Sequence, residues 1–437
     1  MKRHKKLLKV ALVCLAAFCA APWLHAGDWP MWRHDAAHSA YTPDSLAAKL
    51  HLQWVRKLPR PMPAWPPEQY KLQFDVSYEP VVAGKVLLVP SMVTDSVTAY
   101  DTETGDQKWR FYCEGPVRFA PVAWQGKAYF VSDDGWLYCT RIADGALLWK
   151  FRGGPGDRKV LGNDRLISTW PARGAPVIYD GVIYFAAGIW PFMGTFIHAL
   201  DAETGDVVWT NSATGPMFIR QPHDEPAFSG VAPQGYIAAT ADTLVVTGGR
   251  ARPAGFDRKT GEFRYFKHDD KAYGKFRGGC DIAVWRNWFF NFEVMYRLAD
   301  GVATAAASAA VLAPEAIVGF HQDGAIMGYI PQEKGNARGL WKSAVEPAVE
   351  KIHLQAGPRL YASGPNGRVA AIDVPIPGGQ AEVSWQARVE GTVFTMLSAD
   401  DKLFVVTTSG AIYCFGPEPA RPRYHELILT ALPPATP

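Results

Sequence analysis

Cysteine is scarce in this chain, with six among 437 residues. Two lie in the first 26 residues, and the others are Cys113, Cys139, Cys280 and Cys414. No two are adjacent, and no C-x-x-C-H haem motif occurs. Cys139 and Cys414 follow Leu-Tyr and Ile-Tyr at matching positions of separate repeats, which predicts burial as small apolar residues. We therefore expect four free thiols after residue 26.

The chain also lacks the short motifs of several enzyme classes. It has no Gly-rich phosphate loop leading into a helix, no G-x-S-x-G and no H-E-x-x-H. The acidic pair Asp133 and Asp134 precedes Gly135, so we expect it to hold a strand turn rather than a metal ion. Residues 27–437 carry 40 basic against 42 acidic side chains, which argues against a nucleic-acid partner.

The first 26 residues form a separate segment. Five basic residues precede or flank an apolar stretch at residues 7–21, which is followed by Leu24-His25-Ala26. This pattern predicts a secretory signal cleaved before Gly27, and the stretch is too short for a typical membrane span. Phe18 directly before Cys19 disfavours lipid attachment. We expect a periplasmic or secreted protein with no lipid anchor and no transmembrane segment after cleavage.

Three stretches of the chain share one pattern: DTETGDQKW at residues 101–109, DAETGDVVW at 201–209 and DRKTGEFRY at 257–265. Apolar runs precede each Asp, and each stretch ends in an aromatic residue. Gly provides the positive φ that such a tight turn needs, while Asp and Thr oxygens accept hydrogen bonds from its backbone amides. The pattern predicts a repeated strand, turn and strand.

Alternating apolar residues upstream of these stretches predict two further strands in each unit. The segments APVAWQGKAYFVSDDGWLYC from Ala120 and APVIYDGVIYFAAG from Ala175 alternate, pass through a Gly turn, and alternate again. Outer-strand aromatics mark most units, and we expect them to pack between neighbouring units. They are Trp109, Trp149, Trp209, Tyr265, Trp341 and Trp385.

The units predict an all-β fold, an eight-bladed β-propeller of four-stranded antiparallel blades over residues 27–416. A degenerate unit lies near residues 298–305, and the last unit, at 392–415, has only three strands. The strand at residues 51–56 is expected to complete that unit, because pairing the chain ends removes an exposed sheet edge. Residues 417–437 are rich in Pro and predict an irregular C-terminal tail.

These features resemble the pyrroloquinoline-quinone (PQQ) repeat family of β-propellers. The Asp101 and Asp201 repeats match the family pattern, and GDWPMWRHDAAHSAYTP from Gly27 is similar to the segment that precedes the first blade. The resemblance implies a quinoprotein alcohol dehydrogenase-like propeller. The family contains quinoprotein dehydrogenases, a lipoprotein of outer-membrane barrel assembly, and exported proteins of unassigned role.

Long connections between strands indicate where a binding site lies. The longest insertions identified are at residues 152–174 and 211–231, with shorter ones at 188–195 and 248–255, and all four are expected on one face. Together with Arg118, they supply a basic and aromatic set of candidate ligand- or cofactor-binding residues: Arg118, Arg158, Asn163, Arg165, Trp170, Arg173, Trp190, Arg220, His223 and Arg250.

Arg118 and Arg173 are the most specific candidates in this set. Each stands three residues before the Pro of an inner strand, so both should lie at the channel mouth at similar height and bind an anion. In the competing interpretation they pair with loop acids such as Asp164 or Asp224. Likewise, Trp170 and Trp190 either brace their loops or form a stacking platform.

Two functions remain open from the sequence. The first is a non-catalytic binding or scaffold protein, whose partner is an anionic small molecule, a polysaccharide or a protein. The second, implied by the resemblance, is a PQQ-dependent oxidoreductase acting on alcohols or sugars, with Ca²⁺ beside the quinone. No Glu, Asn and Asp set matches the calcium and base positions of that family well enough to assign catalytic or metal-binding residues.

Overall fold

The computed structural model describes residues 27–427 except 221–224, 268–277, 334–336 and 376–378. Among these residues the only helices are short 3-10 turns at Pro67–Leu72, Pro191–Met193 and Pro365–Gly367. The strands form eight blades, each with four antiparallel strands in chain order from the channel outwards, apart from the ring closure described below. The predicted eight-bladed propeller is confirmed.

Two strands precede the first blade, β1 (Tyr41–Thr42) and β2 (His51–Lys57). Blade 1 contains β3 (Val81–Ala83), β4 (Val86–Ser91), β5 (Ser96–Asp101) and β6 (Gln107–Tyr112). Blade 2 contains β7 (Val122–Trp124), β8 (Lys127–Val131), β9 (Trp136–Arg141) and β10 (Leu147–Arg152). An inserted hairpin of β11 (Lys159–Gly162) and β12 (Arg165–Ser168) follows.

Blade 3 contains β13 (Gly174–Tyr179), β14 (Val182–Ala187), β15 (Phe196–Asp201) and β16 (Val207–Asn211). A second inserted hairpin pairs β17 (Phe218–Arg220) with β18 (Pro226–Phe228). Blade 4 contains β19 (Ile237–Ala239), β20 (Thr243–Gly248), β21 (Ala251–Asp257) and β22 (Phe263–Phe266). Blade 5 contains β23 (Ala283–Trp285), β24 (Trp288–Asn291), β25 (Val294–Arg297) and β26 (Ala303–Ala306).

Blade 6 contains β27 (Val311–Leu312), β28 (Ile317–Phe320), β29 (Ile326–Ile330) and β30 (Arg338–Ser343). Blade 7 contains β31 (Lys351–Ala356), β32 (Arg359–Gly364), β33 (Arg368–Asp373) and β34 (Glu382–Arg388). Blade 8 contains β35 (Val393–Ala399), β36 (Lys402–Thr407) and β37 (Ala411–Gly416), and a last strand, β38, spans Arg423–His425.

The ring closes between the two ends of the chain, as the sequence predicts. Strand β2 pairs antiparallel with β37 and becomes the fourth strand of blade 8. The tail is more regular than expected, because β38 pairs in parallel with the outer edge of β2. Its backbone covers donors and acceptors that the edge of the closing strand would otherwise expose.

The repeated turns have the predicted chemistry. The Asp101 carboxylate accepts hydrogen bonds from the amides of Glu103 and Thr104, and Gly105 has a φ of 74°. The same bonds recur at Asp201 and Asp257. The fixed spacing in the sequence therefore corresponds to one turn geometry at several blades.

The outer-strand aromatics pack against the turn of the next blade. Trp109 Nε1 donates to Ile142 O over 2.8 Å, and a Cβ added at Gly145 would lie 2.6 Å from the Trp109 ring. Trp54 of β2 makes the equivalent bond to Thr102 O, at 3.0 Å, across the closure. Only glycine leaves room for the indole ring at this position of the turn.

Residues 27–42 run around one end of the channel, and we call them the N-terminal segment. Their carbonyl oxygens accept hydrogen bonds from backbone amides of seven blades, at Val82, Ala123, Ala239, Val284, Leu312, Gln355, Gly357 and Asp400. These amides lie near the turns between first and second strands, on the face opposite the inserts. The segment therefore satisfies the inner strand edges and closes that end of the channel.

Residues 58–80 form a second long connection, which we call the covering segment. It begins beside blade 8, where Leu58 N donates to Gly410 O, and reaches blades 4 and 5. There Leu72 packs on Gly249, and the Tyr70 and Phe292 rings lie 5.4 Å apart. This connection is as long as the inserts named from the sequence and lies on the same face.

The structure tests two further expectations from the sequence, the free cysteines and the insertion at residues 248–255. The four described cysteines are free; Cys139, Cys280 and Cys414 are buried and Cys113 is half-buried, as predicted. The expectation of an insertion at residues 248–255 is wrong. Strands β20 and β21 are joined by only two residues, with Gly248 paired to Ala251. Pro253 and Gly255 lie within β21, where their types had indicated a loop.

Candidate functional site

The insert at residues 152–174 folds as a hairpin rather than as an irregular loop. Its turn, Asn163–Asp164, has positive φ at both residues, the conformation that two-residue hairpins favour. Arg165 ties the hairpin to blade 1, pairing with Asp95 and donating to Met92 O at 3.1 Å. Asn163 Nδ2 donates to Ala64 O of the covering segment. The hairpin therefore lies across the insert-bearing face.

Beneath this hairpin, Arg118 and Arg173 meet as their shared register predicts. Arg173 binds both carboxylate oxygens of Asp133, each at 2.9 Å, and donates to Asn163 Oδ1 at 3.0 Å. Arg118 donates to the same Asp133 at 2.6 Å and to Asp75 at 2.5 Å. We call these five residues the arginine network.

The arginine network is buried and internally neutral. Arg118, Arg173, Asp75 and Asp133 are each 3% exposed or less. Burial alone would raise the pKa of Asp133, but the charges of Arg173 and Arg118 outweigh it and lower this pKa to about 2. Two carboxylates therefore match two guanidiniums without any external anion.

This geometry corresponds to the alternative in which the arginines pair with acids, although the acids differ from those expected. Asp164 lies in the hairpin turn, Asp224 lies outside the described residues, and the actual partners are Asp75 and Asp133. Asp134 does hold its turn, accepting bonds from the amides of Trp136 and Glu114. The sequence interpretation missed Asp133 because it treated the acidic pair as one unit.

The other predicted residues divide between bracing and surface positions. Trp170 Nε1 donates to Met193 O at 2.8 Å, so it braces the insert at residues 188–195. Trp190 is 48% exposed. Arg158, Arg220 and Arg250 are exposed, and His223 lies outside the described residues.

The inserts together present an apolar surface, which we call the insert face. Trp170 links the first hairpin to the Pro191–Met193 turn, and Gly215, before the second hairpin, packs on Pro191 and Thr195. Large apolar side chains on these pieces are between 48% and 79% exposed: Leu161, Leu166, Trp190, Phe192, Phe218 and Phe228. The Phe218 and Phe228 rings lie 5.1 Å apart.

The channel is filled on the side of blades 2 to 4 by an aromatic column. Trp32 stacks on Tyr236 with ring centroids 3.7 Å apart and planes 8° apart. Tyr236 contacts Phe119 edge-on, and Phe119 stacks on Phe74 at 4.8 Å. This column occupies one half of the channel with side chains from the two connecting segments and two blades.

The other half of the channel is open as two joined chambers. The inner chamber, about 120 Å³, includes Glu79 and His353 in its wall, and the outer chamber, about 450 Å³, opens beside blades 5 to 7. Arg33, Asp281 and Lys351 line both chambers. These residues come from the N-terminal segment, the covering segment, the approach to β23, and β31.

The electrostatics of the chambers differ from those of the arginine network. Shielding from water raises the pKa of Glu79 to about 7, although Lys351 lowers it in part. Desolvation also raises the pKa of Asp281 and lowers the pKa of Lys351, although both side chains keep exposed surface. Charge on Glu79 is therefore disfavoured by its surroundings.

The sequence interpretation did not identify the chamber residues. A usable signal existed, because 23 residues separate the closing strand at Lys57 from the inner strand at Val81. A connection of that length is a candidate functional loop by the criterion applied to the other inserts. Arg33 and Asp281 carried no comparable local signal.

The arginine network, the aromatic column and the inner chamber do not fit a quinone cofactor. Pyrroloquinoline quinone is a planar tricyclic carboxylate, and its ring plane needs a free aromatic face and matching cations. Trp32 already stacks on Tyr236, the arginine network is neutralised by its own acids, and the inner chamber holds about 120 Å³. Small-molecule sites typically have about 300–1,000 Å³.

Among the residues that the structure describes, no group of three or more His, Cys, Asp or Glu side chains is placed to hold a metal ion. No helix in the same residues is both long and apolar enough to cross a membrane.

Comparison with known proteins supports the PQQ-repeat resemblance. Residues 31–169 match the family described as outer membrane protein assembly factor BamB. The dehydrogenase subunit of a quinone-dependent alcohol dehydrogenase from Gluconobacter oxydans (strain 621H) is 27% identical over 199 residues, 42% of this chain. The match spans only 24% of that relative's length.

Solved structures share the fold at low sequence identity. The quinohemoprotein alcohol dehydrogenase from Comamonas testosteroni superimposes with a TM-score of 0.56 and 16% identity, covering 93% of this chain and 83% of that one. A europium-containing methanol dehydrogenase gives a TM-score of 0.53 and 14% identity, covering 90% and 98% of the two chains. These likenesses establish the propeller fold and leave function to the site residues.

Proposed function

We propose that this PQQ-repeat propeller is a non-catalytic binding protein whose insert face binds a protein partner. The observation that carries the proposal is the set of exposed apolar side chains on the two inserted hairpins and the Pro191–Met193 turn. Leu161 is 79% exposed, Phe192 68% and Phe228 64%. A cluster of large apolar side chains on projecting connections is typical of a protein interaction site.

The same surface indicates the chemistry of the partner. Exposed basic side chains lie at the end of β10, at Lys150 and Arg152, and in the first insert, at Arg158. Each hairpin is a separate two-stranded sheet, so it has backbone groups along an edge that can pair with an added strand. We therefore propose an extended protein segment with apolar and acidic residues as the ligand.

The matched family supports this direction. Its description names a factor of outer membrane protein assembly, and the match includes the first hairpin. The curated relative is a dehydrogenase subunit, which supports the alternative of a PQQ-dependent oxidoreductase. The arginine network and the aromatic column weigh against that alternative, because the guanidiniums of the network are neutralised by its own acids and Trp32 is already stacked on Tyr236.

A displayed library of random peptides tests the binding proposal. We expect apolar, acidic peptides to be enriched on the wild-type protein and to bind Leu161→Ser/Phe192→Ser/Phe228→Ser at least about tenfold more weakly. The matched control is Val207→Ser/Val208→Ser, which removes two exposed apolar side chains of β16 outside the insert face.

The control should retain full affinity for the enriched peptides. If no peptide is enriched, or the triple variant binds as well as the wild type, the proposed docking role is wrong. Loss of dextran sulfate binding by the triple variant, without peptide enrichment, would instead favour a polysaccharide ligand.

The oxidoreductase alternative has its own experiment. The protein is incubated with pyrroloquinoline quinone and Ca²⁺, freed of excess reagent, and examined for a bound quinone spectrum. We expect none. A stoichiometric spectrum that survives washing would overturn the non-catalytic proposal.

Export remains part of the proposed function. It rests on the basic start, the apolar stretch at residues 7–21 and the Leu24-His25-Ala26 site in the sequence. Intact mass of the protein from its native compartment should correspond to a chain starting at Gly27. A mass that includes acyl chains on Cys19 would contradict this.

A further inference from the structure

The two channel chambers form a concave site that is separate from the insert face. The outer chamber, about 450 Å³, is within the range of about 300–1,000 Å³ that small-molecule sites occupy. It narrows into the inner chamber at a junction formed by Trp32, Arg33, Gln73, Asp281, Lys351 and Ile352. None of these residues belongs to the insert face.

Both cations at this junction are positioned by backbone carbonyls. Arg33 donates from Nε to His38 O at 3.0 Å and from Nη2 to Ala310 O at 2.6 Å. Lys351 Nζ donates to Phe394 O at 2.7 Å, which uses one of the three donors of an ammonium group. Carbonyl contacts fix these side chains, and their acidic neighbours Asp281 and Glu79 form no direct ion pair with them among the described residues. In the arginine network, by contrast, carboxylates bind the guanidiniums directly.

The outer chamber also contains an acceptor that lacks a donor. Asn291 is 1% exposed, and its Nδ2 donates to Gly279 O at 2.9 Å and to Asp281 O at 2.6 Å. These bonds fix the amide orientation and leave Oδ1 with no partner among the described residues. An unmatched buried acceptor costs about 1–3 kcal/mol, so a donor at this position would be favourable.

We propose that the chambers bind a small carboxylate that also carries hydroxyl or ammonium donors. Its carboxylate lies between Arg33 and Lys351, and its donors bind the Asp281 carboxylate and Asn291 Oδ1. The junction has two cations and one carboxylate, so it favours a ligand with one negative charge when Glu79 in the inner chamber is protonated. The extra acceptors select against a plain aliphatic acid.

Four probes separate the parts of this proposal in calorimetric titrations of the full chain after residue 26. Gluconate combines a carboxylate with hydroxyls, alanine combines it with an ammonium group, propionate has the carboxylate alone, and glucose has hydroxyls alone. We expect gluconate or alanine to bind at millimolar concentrations or below, and propionate and glucose to bind at least about tenfold more weakly. The gluconate and alanine arms also distinguish hydroxyl from ammonium donors.

Lys351→Gln should lower the affinity for the probe that binds by at least about tenfold, because the substitution removes the charge and keeps a hydrogen-bond donor. Asp281→Asn provides the second variant if Lys351→Gln fails to fold. Lys85→Gln, at an exposed turn of blade 1, is the matched control and should bind as the wild type does. The triple serine variant of the insert face should also keep this affinity, so the two proposals fail independently.

The proposal is overturned if neither gluconate nor alanine binds, or if propionate or glucose binds as tightly as they do. It is also overturned if a folded Lys351→Gln or Asp281→Asn variant retains wild-type affinity.

Discussion

Two clusters of charged side chains lie in the same ring, and they differ in the groups that bind their cations. In the arginine network, two guanidiniums are bound directly by two buried carboxylates. In the channel chambers, Arg33 and Lys351 are held by backbone carbonyls, and shielding from water raises the pKa of Glu79 to about 7. Charges in direct ion pairs indicate structure, whereas cations held by carbonyls, with Asp281 and Glu79 near them but not in a direct ion pair among the described residues, indicate a ligand site.

From this difference we infer that Arg118 and Arg173, the arginines predicted from the sequence to bind an anion, have a structural role. Had the charge of Arg118 and Arg173 been unmatched, their convergence would have supported an anion site at the channel mouth. Asp133 lies between them and Asp75 completes the balance, so their role is to join the covering segment to blades 2 and 3. The following predictions test the contrast between the two clusters, beginning with the largest effect.

Arg118→Gln/Arg173→Gln should lower the free energy of unfolding by about 3–5 kcal/mol, because it leaves Asp75 and Asp133 buried without their cations. Denaturant unfolding monitored by tryptophan fluorescence measures the loss. Arg141→Gln, which breaks an exposed pair with Asp144, should cost less than about 1 kcal/mol. Equal stability of the double variant and the wild type would remove the structural assignment and restore the anion site.

Glu79→Gln should have the opposite effect to the double arginine variant and raise the free energy of unfolding by about 1–2 kcal/mol at pH 8. Above its raised pKa the Glu79 carboxylate is ionised in surroundings that disfavour the charge, and the amide avoids that cost. The same denaturant experiment measures this gain in stability. A loss comparable with that of the arginine variant would mean that Glu79 is a matched structural charge.

The pH dependence of these effects should differ between the clusters. Glu79 has a folded pKa of about 7 against an ordinary value of 4.5, so the folded state holds the extra proton between those pH values. The Glu79 contribution to stability is therefore lost as pH rises from 4.5 to 7. The advantage of Glu79→Gln should shrink when unfolding is measured at pH 5.

Asp133 provides the opposite case within the same measurement. Its pKa, lowered from 3.8 to about 2, contributes stability that is present above pH 3.8 and is lost as pH falls through 2.

An advantage of Glu79→Gln that is constant from pH 5 to pH 8 would contradict the raised pKa of Glu79.

Trp190→Ala should change the free energy of unfolding by less than about 0.5 kcal/mol, because the ring is 48% exposed on the insert face. Trp170→Ala should cost more, since it removes the half-buried ring whose Nε1 donates to Met193 O. Thermal melts of both variants measure the difference. Equal losses would place Trp190 in the structural framework and not on a binding surface.

Much of the framework was predictable from sequence because it depends on short-range spacing. The Asp101, Asp201 and Asp257 turns each use an Asp, amides two and three residues later, and a Gly four residues later. Closure by β2 was also predictable, because a final unit with three strands required a fourth. The tail strand β38 was not, since residues 423–425 alone lack a distinctive strand pattern.

The candidate sites were predictable only in part. The inserts were located, but their hairpins and exposed apolar side chains were not, because the sequence interpretation gave weight to charge and to Trp. Residues 221–224, which include His223, lie outside the described residues. The chambers were missed altogether, since their lining residues are scattered over many separate stretches of the chain, from Trp29 to Leu397.

The sequence by itself determined the repeat, the eight blades, the closing strand and the free cysteines, because each depends on local pattern or on strand counting. Only the tertiary structure decided which charges are matched. Arg118 lies 43 residues from Asp75, and Arg173 lies 40 residues from Asp133. The N-terminal segment brings Arg33 to a cavity that Lys351 of blade 7 also lines. Pairing over such separations depends on how the blades and connections pack, so the role of each charge depends on partners that local sequence does not specify.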